Sequence, residues 1–423
     1  MIRAGRCNQW PQCFLELFLV AVGSILVARA QASAGAAQNR PIVLKTSTLL
    51  DGKGHLFRNT IIVVEDGKIS RIGGAAPAGA ITYDLAGLTV TPGWIDAHSH
   101  IYNHFYNGHA VGRGFPRGEP PVQTALAIVE NAYLTLMAGF TTIQSPGAPQ
   151  DQDVRDMIAS GVAPGARILT SLLPLREQSG PPEKIRELVR ERKQQGADFV
   201  KIFTASGGRT MSEEQIQATC GEARAQGLRV LAHAIEASEV KAAVLAGCTS
   251  IEHGFRATDE LFELMAQRGT YYDPQVQNFI LDNKDKYVAA GDLTEEYFAP
   301  LEKNTAQGIE TFKKALQHKN LKIIYGTDAI EGAHGRNYEE FIARVRVGGQ
   351  EPMAALVSAT SLTAESLGLG DRIGTIAPGM EADIVGFDGN PIQDVTAARR
   401  AVFVMQGGRV VENLPRGSKP GEP

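Results

Sequence analysis

The sequence predicts an α/β protein: a (β/α)8 barrel over residues 91–368, joined to a small β-sandwich built from both chain ends (41–90 and 369–415). Short apolar runs alternate with helical stretches through the middle, whereas both ends read as strands and tight turns. Histidine, lysine and aspartate also recur at the ends of the apolar runs, where a barrel of this kind carries its chemistry.

The chain has 423 residues, 43% of them hydrophobic and 21% charged, with a formal charge of −4. That is enough chain for one large α/β domain with a substantial core. No basic run or stripe is present, which argues against nucleic acid as a partner. Residues 1–30 read as a signal peptide and fall outside the fold. Arg3 and Arg6 precede an eleven-residue apolar segment (17–27), and Ala28 and Ala30 give the small-x-small form of a cleavage site. The mature chain is therefore expected to be exported, periplasmic or secreted, with no membrane attachment after cleavage. Cys7 and Cys13 would leave with the signal. Cys220 and Cys248 fall on separate predicted elements, which favours two small buried thiols over a disulfide.

From residue 41 onward, Asp-Gly pairs separate short β-branched runs, a hairpin signal. The same texture returns in "GTIAPGMEADIVGFDGNP" and "RRAVFVMQGGRVV". Between these ends, "PPEKIRELVRERKQQG", "SEEQIQATCGEARAQG", "EASEVKAAVLAG" and "ATDELFELMAQRG" are helical and each stops at glycine. Ser212 and Gln215 form a capping box. Eight candidate barrel strands follow in order: 88–98, 140–145, 167–171, 198–203, 229–233, 249–253, 269–274 and 321–328. No internal repeat suggests a solenoid instead.

Of nine histidines, four (His98, His100, His104, His109) crowd into twelve positions around "VTPGWIDAHSHIYNHF". Residues i and i+2 of a strand share a face, so His98 and His100 can point at one spot. Lys201 lies in strand four, His233 ends strand five, His253 ends strand six and Asp328 ends strand eight. Taken singly, each has an ordinary structural explanation: a strand-end lysine reaching solvent, a core histidine, an aspartate capping a helix. Their joint placement on five strand ends has no packing rationale and points to a catalytic rim.

"VTPGWIDAHSH", "DFVKIF", "VLAHA", "SIEHG", "YGTDA" and "ATSLTAESLGLGDRIGTIAPGMEADIVGFDGNP" together resemble the metal-dependent amidohydrolase superfamily, and within it the imidazolonepropionase-like and Xaa-Pro dipeptidase-like enzymes. The resemblance spans about residues 42–412 and implies a TIM barrel. It further implies two divalent metal ions, zinc being the expected metal, held by His98, His100, Lys201, His233, His253 and Asp328. Lys201 would be carboxylated, because a bridging carbamate supplies oxygen ligands to both ions where a cationic amine would repel them. The expected reaction is hydrolysis of an amide C–N bond in a small substrate, such as a dipeptide or N-acyl amino acid, by a metal-bridging hydroxide, with Asp328 as the catalytic proton carrier. Asp96 is a candidate for orienting a histidine of the site.

Loops after strands one and eight offer Tyr102, His104, Tyr106, His109, Arg113, His334 and Arg336 as candidates for gripping the substrate. Two departures from the family pattern bear on substrate choice. "QSPG" stands where relatives often carry Arg-Asp-Leu-Gly, and "SLLPLREQSGPPEK" lacks the Gly-Gly-His stretch of many dipeptidases. Three alternatives remain at this point: a lactonase or phosphotriesterase using the same ligands, a mononuclear imidazolone-type ring hydrolase or deaminase, and an exported metal-binding protein without catalysis. Homo-oligomeric assembly is expected from the family.

Overall fold

The computed structural model describes residues 40–112 and 118–418, so the segment expected to be a signal peptide and Arg113 lie outside the described residues. Strands β1 (Ile42–Leu50), β2 (Leu56–Glu65), β3 (Lys68–Ile72) and β4 (Ile81–Pro92) open the chain. The β2–β3 turn is the expected Asp-Gly: Asp66 and Gly67 have φ of 49° and 77°, the left-handed pair a two-residue hairpin requires.

β5 (Trp94–Asp96) begins the parallel βα series, and a short hairpin, β6 (His104–Tyr106) with β7 (His109–Val111), follows it. Next come β8 (Phe140–Ser145), β9 (Arg167–Thr170), β10 (Phe199–Phe203), a two-residue hairpin of β11 (Ala205–Ser206) and β12 (Arg209–Thr210), then β13 (Arg229–Ala234), β14 (Ser250–His253) and β15 (Tyr271–Asp273). β16 (Ile384–Asp388), β17 (Ala401–Gln406) and β18 (Arg409–Asn413) close the chain.

The strands from both ends pair into one seven-stranded sheet, β18-β17-β16-β4-β1-β2-β3. The expected two-layer sandwich is thus a single mixed sheet, with β4 parallel to β1 and antiparallel to β16. Its face packs on the barrel-like part through Trp94, whose fully buried ring lies 5.1 Å from that of Phe387 in the sheet and 4.9 Å from that of Phe341.

The middle is TIM-barrel-like, with parallel sheets β5-β8-β9 and β10-β13-β14-β15. They meet at a parallel bridge between Leu175 and Ile202. The eighth predicted strand, 321–328, touches both neighbours without forming a continuous ladder. The Ile324 amide donates to the Tyr272 carbonyl and the Ala97 amide donates to the Tyr325 carbonyl. Several of its other backbone groups are taken by side chains. Arg344 donates to the Ile324 carbonyl at 2.6 Å, Ser358 to that of Ile323 at 2.7 Å, and the Tyr325 amide donates to the Thr363 hydroxyl at 2.9 Å. Side-chain hydrogen bonds thus stand in for part of a strand ladder along this segment.

The four glycine stops hold: Gly196, Gly227, Gly247 and Gly269 follow the helices Pro182–Gln194, Glu213–Ala225, Ala237–Ala246 and Asp259–Arg268 with positive φ. The Ser212/Gln215 capping box forms as expected. The cysteine expectation does not hold. Cys220 and Cys248 are joined in a disulfide across 28 residues, because the helix Glu213–Ala225 packs beside the entry to β14 and brings their Cα atoms to 5.4 Å.

Candidate metal centre

Five strand ends converge as the sequence pattern requires. His98 and His100 leave β5 with their Nε2 atoms 3.3 Å apart. Asp328 Oδ1 lies 3.0 Å from His100 Nε2 and 3.6 Å from His98 Nε2. The His233 and His253 rings are 4.5 Å apart, and the His98 ring is 5.7 Å from that of His253. Lys201 Nζ stands 3.4 Å from His98 Nε2, with the lysine only 1% exposed.

Two of these residues occupy backbone conformations that L-residues rarely adopt. His253 has φ of 69° and Asp328 of 51°. Such positions cost on the order of 1–3 kcal/mol each and persist where surrounding structure over-determines them. At Asp328 the determinant is visible: its amide donates to the His98 carbonyl at 2.7 Å, which ties the eighth segment to the end of β5.

Burial pushes the imidazoles of His100, His233 and His253 toward the neutral form that binds metal. Burial lowers the His100 pKa to about 4 against the opposing pull of Asp328, and lowers that of His253 to about 3. His233 is pushed down by burial and by the positive charge of its neighbours. Burial raises the Asp328 carboxyl, but its hydrogen bond with His100 and the nearby histidines outweigh that and hold it well below the usual range. Burial also lowers the Lys201 amine.

Behind the centre stands a carboxylate the sequence pattern did not single out. Glu252 Oε2 lies 2.7 Å from His98 Nδ1, so His98 presents its other nitrogen to the site. Burial works to raise the Glu252 pKa, yet the hydrogen bond and charge of His98 bring it to about 2. The Gln275 amide nitrogen donates to Glu252 at 3.2 Å and to Asp273 at 2.9 Å, and Asp273 is paired with the buried Arg344 at 3.2 Å.

Asp96 serves the backbone instead of a histidine ring. It accepts from the amides of His98 and Thr327, from the Thr327 hydroxyl and from Asn337, and so clamps β5 to the eighth segment. Burial raises its pKa to about 6 despite these donors.

A cavity of about 1030 Å³ opens over the centre, with His98, His100, His233, His253 and Asp328 in its lining. Lys201 is buried outside that lining. Of the substrate candidates among the described residues, Tyr102 lines the cavity, whereas His104, Tyr106, His109, His334 and Arg336 do not. His104 faces the Tyr102 carbonyl and Glu119, at 2.8 and 2.9 Å. His334 Nε2 sits 3.1 Å from the Asn103 carbonyl, and Arg336 pairs with Asp282 at 2.9 Å. Loop charge alone did not show that these groups already have protein partners. The reverse case is Arg176: among the described residues it is the one arginine or lysine in the lining, and nothing about its stretch except a lone positive charge marked it.

An Aspergillus niger protein named ochratoxinase is 23% identical over 443 aligned positions, covering 88% of this chain and 89% of that one. An imidazolonepropionase of Rhodococcus jostii is 22% identical, covering 82% and 86%. Among solved structures, a Xaa-Pro dipeptidase with methionine bound in its active site superposes with a TM-score of 0.80 at 27% identity, over 88% of this chain and all of that one. Residues 89–414 match the model of the Amidohydrolase family, and with the strand-end residues placed as described, the chain belongs to that family.

Proposed function

We propose that this protein hydrolyses amide C–N bonds of small substrates such as dipeptides or N-acyl amino acids. Two divalent cations, zinc by preference, would be held by His98, His100, Lys201, His233, His253 and Asp328. The observation that carries this reading is the position of Lys201: its amine is buried against His98 Nε2 at 3.4 Å, beside the His98, His100 and Asp328 cluster. The donor set fits metal, since burial favours the neutral form of His100, His233 and His253 and Asp328 is held ionised.

Burial disfavours the charged form of Lys201, and the uncharged amine is a nucleophile toward CO2. Its nitrogen lone pair adds to carbon, one N–H proton leaves to water, and a carbamate anion results. That anion would offer two oxygens where the free amine offers none. When bound, the metal ions would supply Lewis acidity toward the scissile carbonyl and activate water. Asp328 takes the proton of the attacking water on a carboxylate oxygen and passes it to the departing nitrogen, which must be protonated to leave. The hydrogen bond with His100 helps keep the carboxylate ionised. His233 and His253 hold the opposite side of the centre, and Glu252 fixes the tautomer of His98.

Export also belongs to this reading, supported by the Cys220–Cys248 disulfide, since such bonds persist in oxidising compartments. The test is hydrolysis of a panel of dipeptides, N-acyl amino acids, lactones and phosphotriesters by protein purified after metal-replete expression. Amide turnover that a chelator abolishes and zinc restores supports the proposal. Turnover confined to lactones or phosphotriesters would overturn it.

A further inference from the structure

A chain of ring contacts crosses the cavity. The Arg176 guanidinium lies 4.8 Å over the Phe203 ring, that ring is 4.9 Å from His233, His233 is 4.5 Å from His253, and His253 is 5.5 Å from Phe255. The metal centre therefore stands between a cation on one side and an apolar wall on the other, to which Phe255, Phe279, Ile280 and Leu301 contribute.

Arg176 belongs to the loop after β9, which lacks the Gly-Gly-His stretch noted above. Its guanidinium is stacked on Phe203 and left unpaired with any carboxylate among the described residues. The adjacent Glu177 reaches Arg209 instead, at 3.4 Å. Stacking on an aromatic face orients a guanidinium while leaving its N–H edge open, and that edge matches a carboxylate with two parallel hydrogen bonds. Asp328, the other charged non-histidine group in the described lining, is committed to His100.

We infer that Arg176 anchors the carboxylate of the leaving amino acid, and that the substrate is an N-acyl amino acid whose large apolar acyl group fills the arm beside Phe255 and Phe279. The scissile bond then lies over the histidines, with the carboxylate a few bonds beyond the departing nitrogen, toward Phe203. This inference rests on the amide-hydrolase reading and adds to it the orientation of the substrate.

Arg176→Met retains an apolar side chain over Phe203 and removes the charge. Two matched substrates separate the questions: an N-aroyl-phenylalanine, and the same molecule without its carboxylate, an N-aroyl-phenethylamine. The native enzyme should prefer the acid by about 10- to 100-fold in kcat/KM, the scale of a hydrogen-bonded charge pair. In Arg176→Met that ratio should fall toward one, mainly through KM, and Arg176→Lys should restore part of it. A native enzyme that hydrolyses both substrates equally, or an Arg176→Met enzyme that keeps the preference, overturns the anchor while leaving amide hydrolysis standing. A native enzyme that cleaves neither these substrates nor any other amide overturns both.

Discussion

His98 Nδ1 and Glu252 Oε2 meet at 2.7 Å across 154 residues of chain, with both side chains essentially fully buried. This contact joins the end of β5 to β14 and leaves His98 Nε2 free to face His100 and Lys201. Glu252→Gln keeps the shape but weakens the acceptor. Its metal affinity should fall by about 10- to 100-fold, the usual scale for the partner behind a metal-binding histidine. Chelator competition followed by metal analysis measures it, and unchanged affinity would show that Glu252 does not set the ring.

Asp328→Asn should separate metal binding from proton transfer. The amide can still face His100 but can neither hold a negative charge nor accept the proton of water. We expect kcat to fall by about 100-fold or more while most of the metal is retained. Single-turnover kinetics beside metal content gives the comparison. A variant with near-native kcat would remove Asp328 from the role of proton carrier.

Asp151 gives a pH prediction away from the metal centre. Burial raises its carboxyl from 3.8 to about 7, although Ser145 and the Ala148 amide donate to it. The folded state therefore holds a proton that the unfolded chain has lost. Stability from this group is fully present below about pH 4 and declines up to about pH 7, with a slope approaching about 1.4 kcal/mol per pH unit. Asp151→Asn should flatten that slope in urea titrations between pH 5 and 7. An unaltered slope would mean that Asp151 is ionised throughout.

The Cys220–Cys248 bridge should stabilise the fold by about 3 kcal/mol, the scale for a loop of this size. Thermal melts with and without a strong reductant, compared with a Cys220→Ser/Cys248→Ser variant, should show the same drop of several degrees. Metal content should not change, because the disulfide joins a helix to the entry of β14 rather than to the ends that carry the ligands. Melts indifferent to reductant would contradict the bridge.

What was legible in the sequence had a short-range physical cause. The Asp66-Gly67 turn, the glycine helix stops and the i, i+2 pairing of His98 with His100 each depend on a few adjacent residues. Glu252 escaped notice because strand alternation places it on the face opposite His253. The left-handed φ of 69° at His253 turns the chain there, so both adjacent residues serve the site. The eighth segment was recognised as extended, but its hydrogen-bond partners Arg344, Ser358 and Thr363 lie well downstream and left no local signal. The disulfide was missed for the same reason, since only tertiary packing brings Cys220 to Cys248. His104, His334 and Arg336 show the converse error, in which charge was visible and its protein partner was not.

The most direct measurement is metal content per chain for the native protein and for Lys201→Ala, both from metal-replete expression, paired with turnover of one amide substrate. Two metal ions are expected in the native chain, with loss of metal and activity together in the variant and partial rescue by short carboxylic acids that replace the bridging oxygens. A native chain that binds only one ion, or a Lys201→Ala variant that keeps both ions and full turnover, would contradict that expectation.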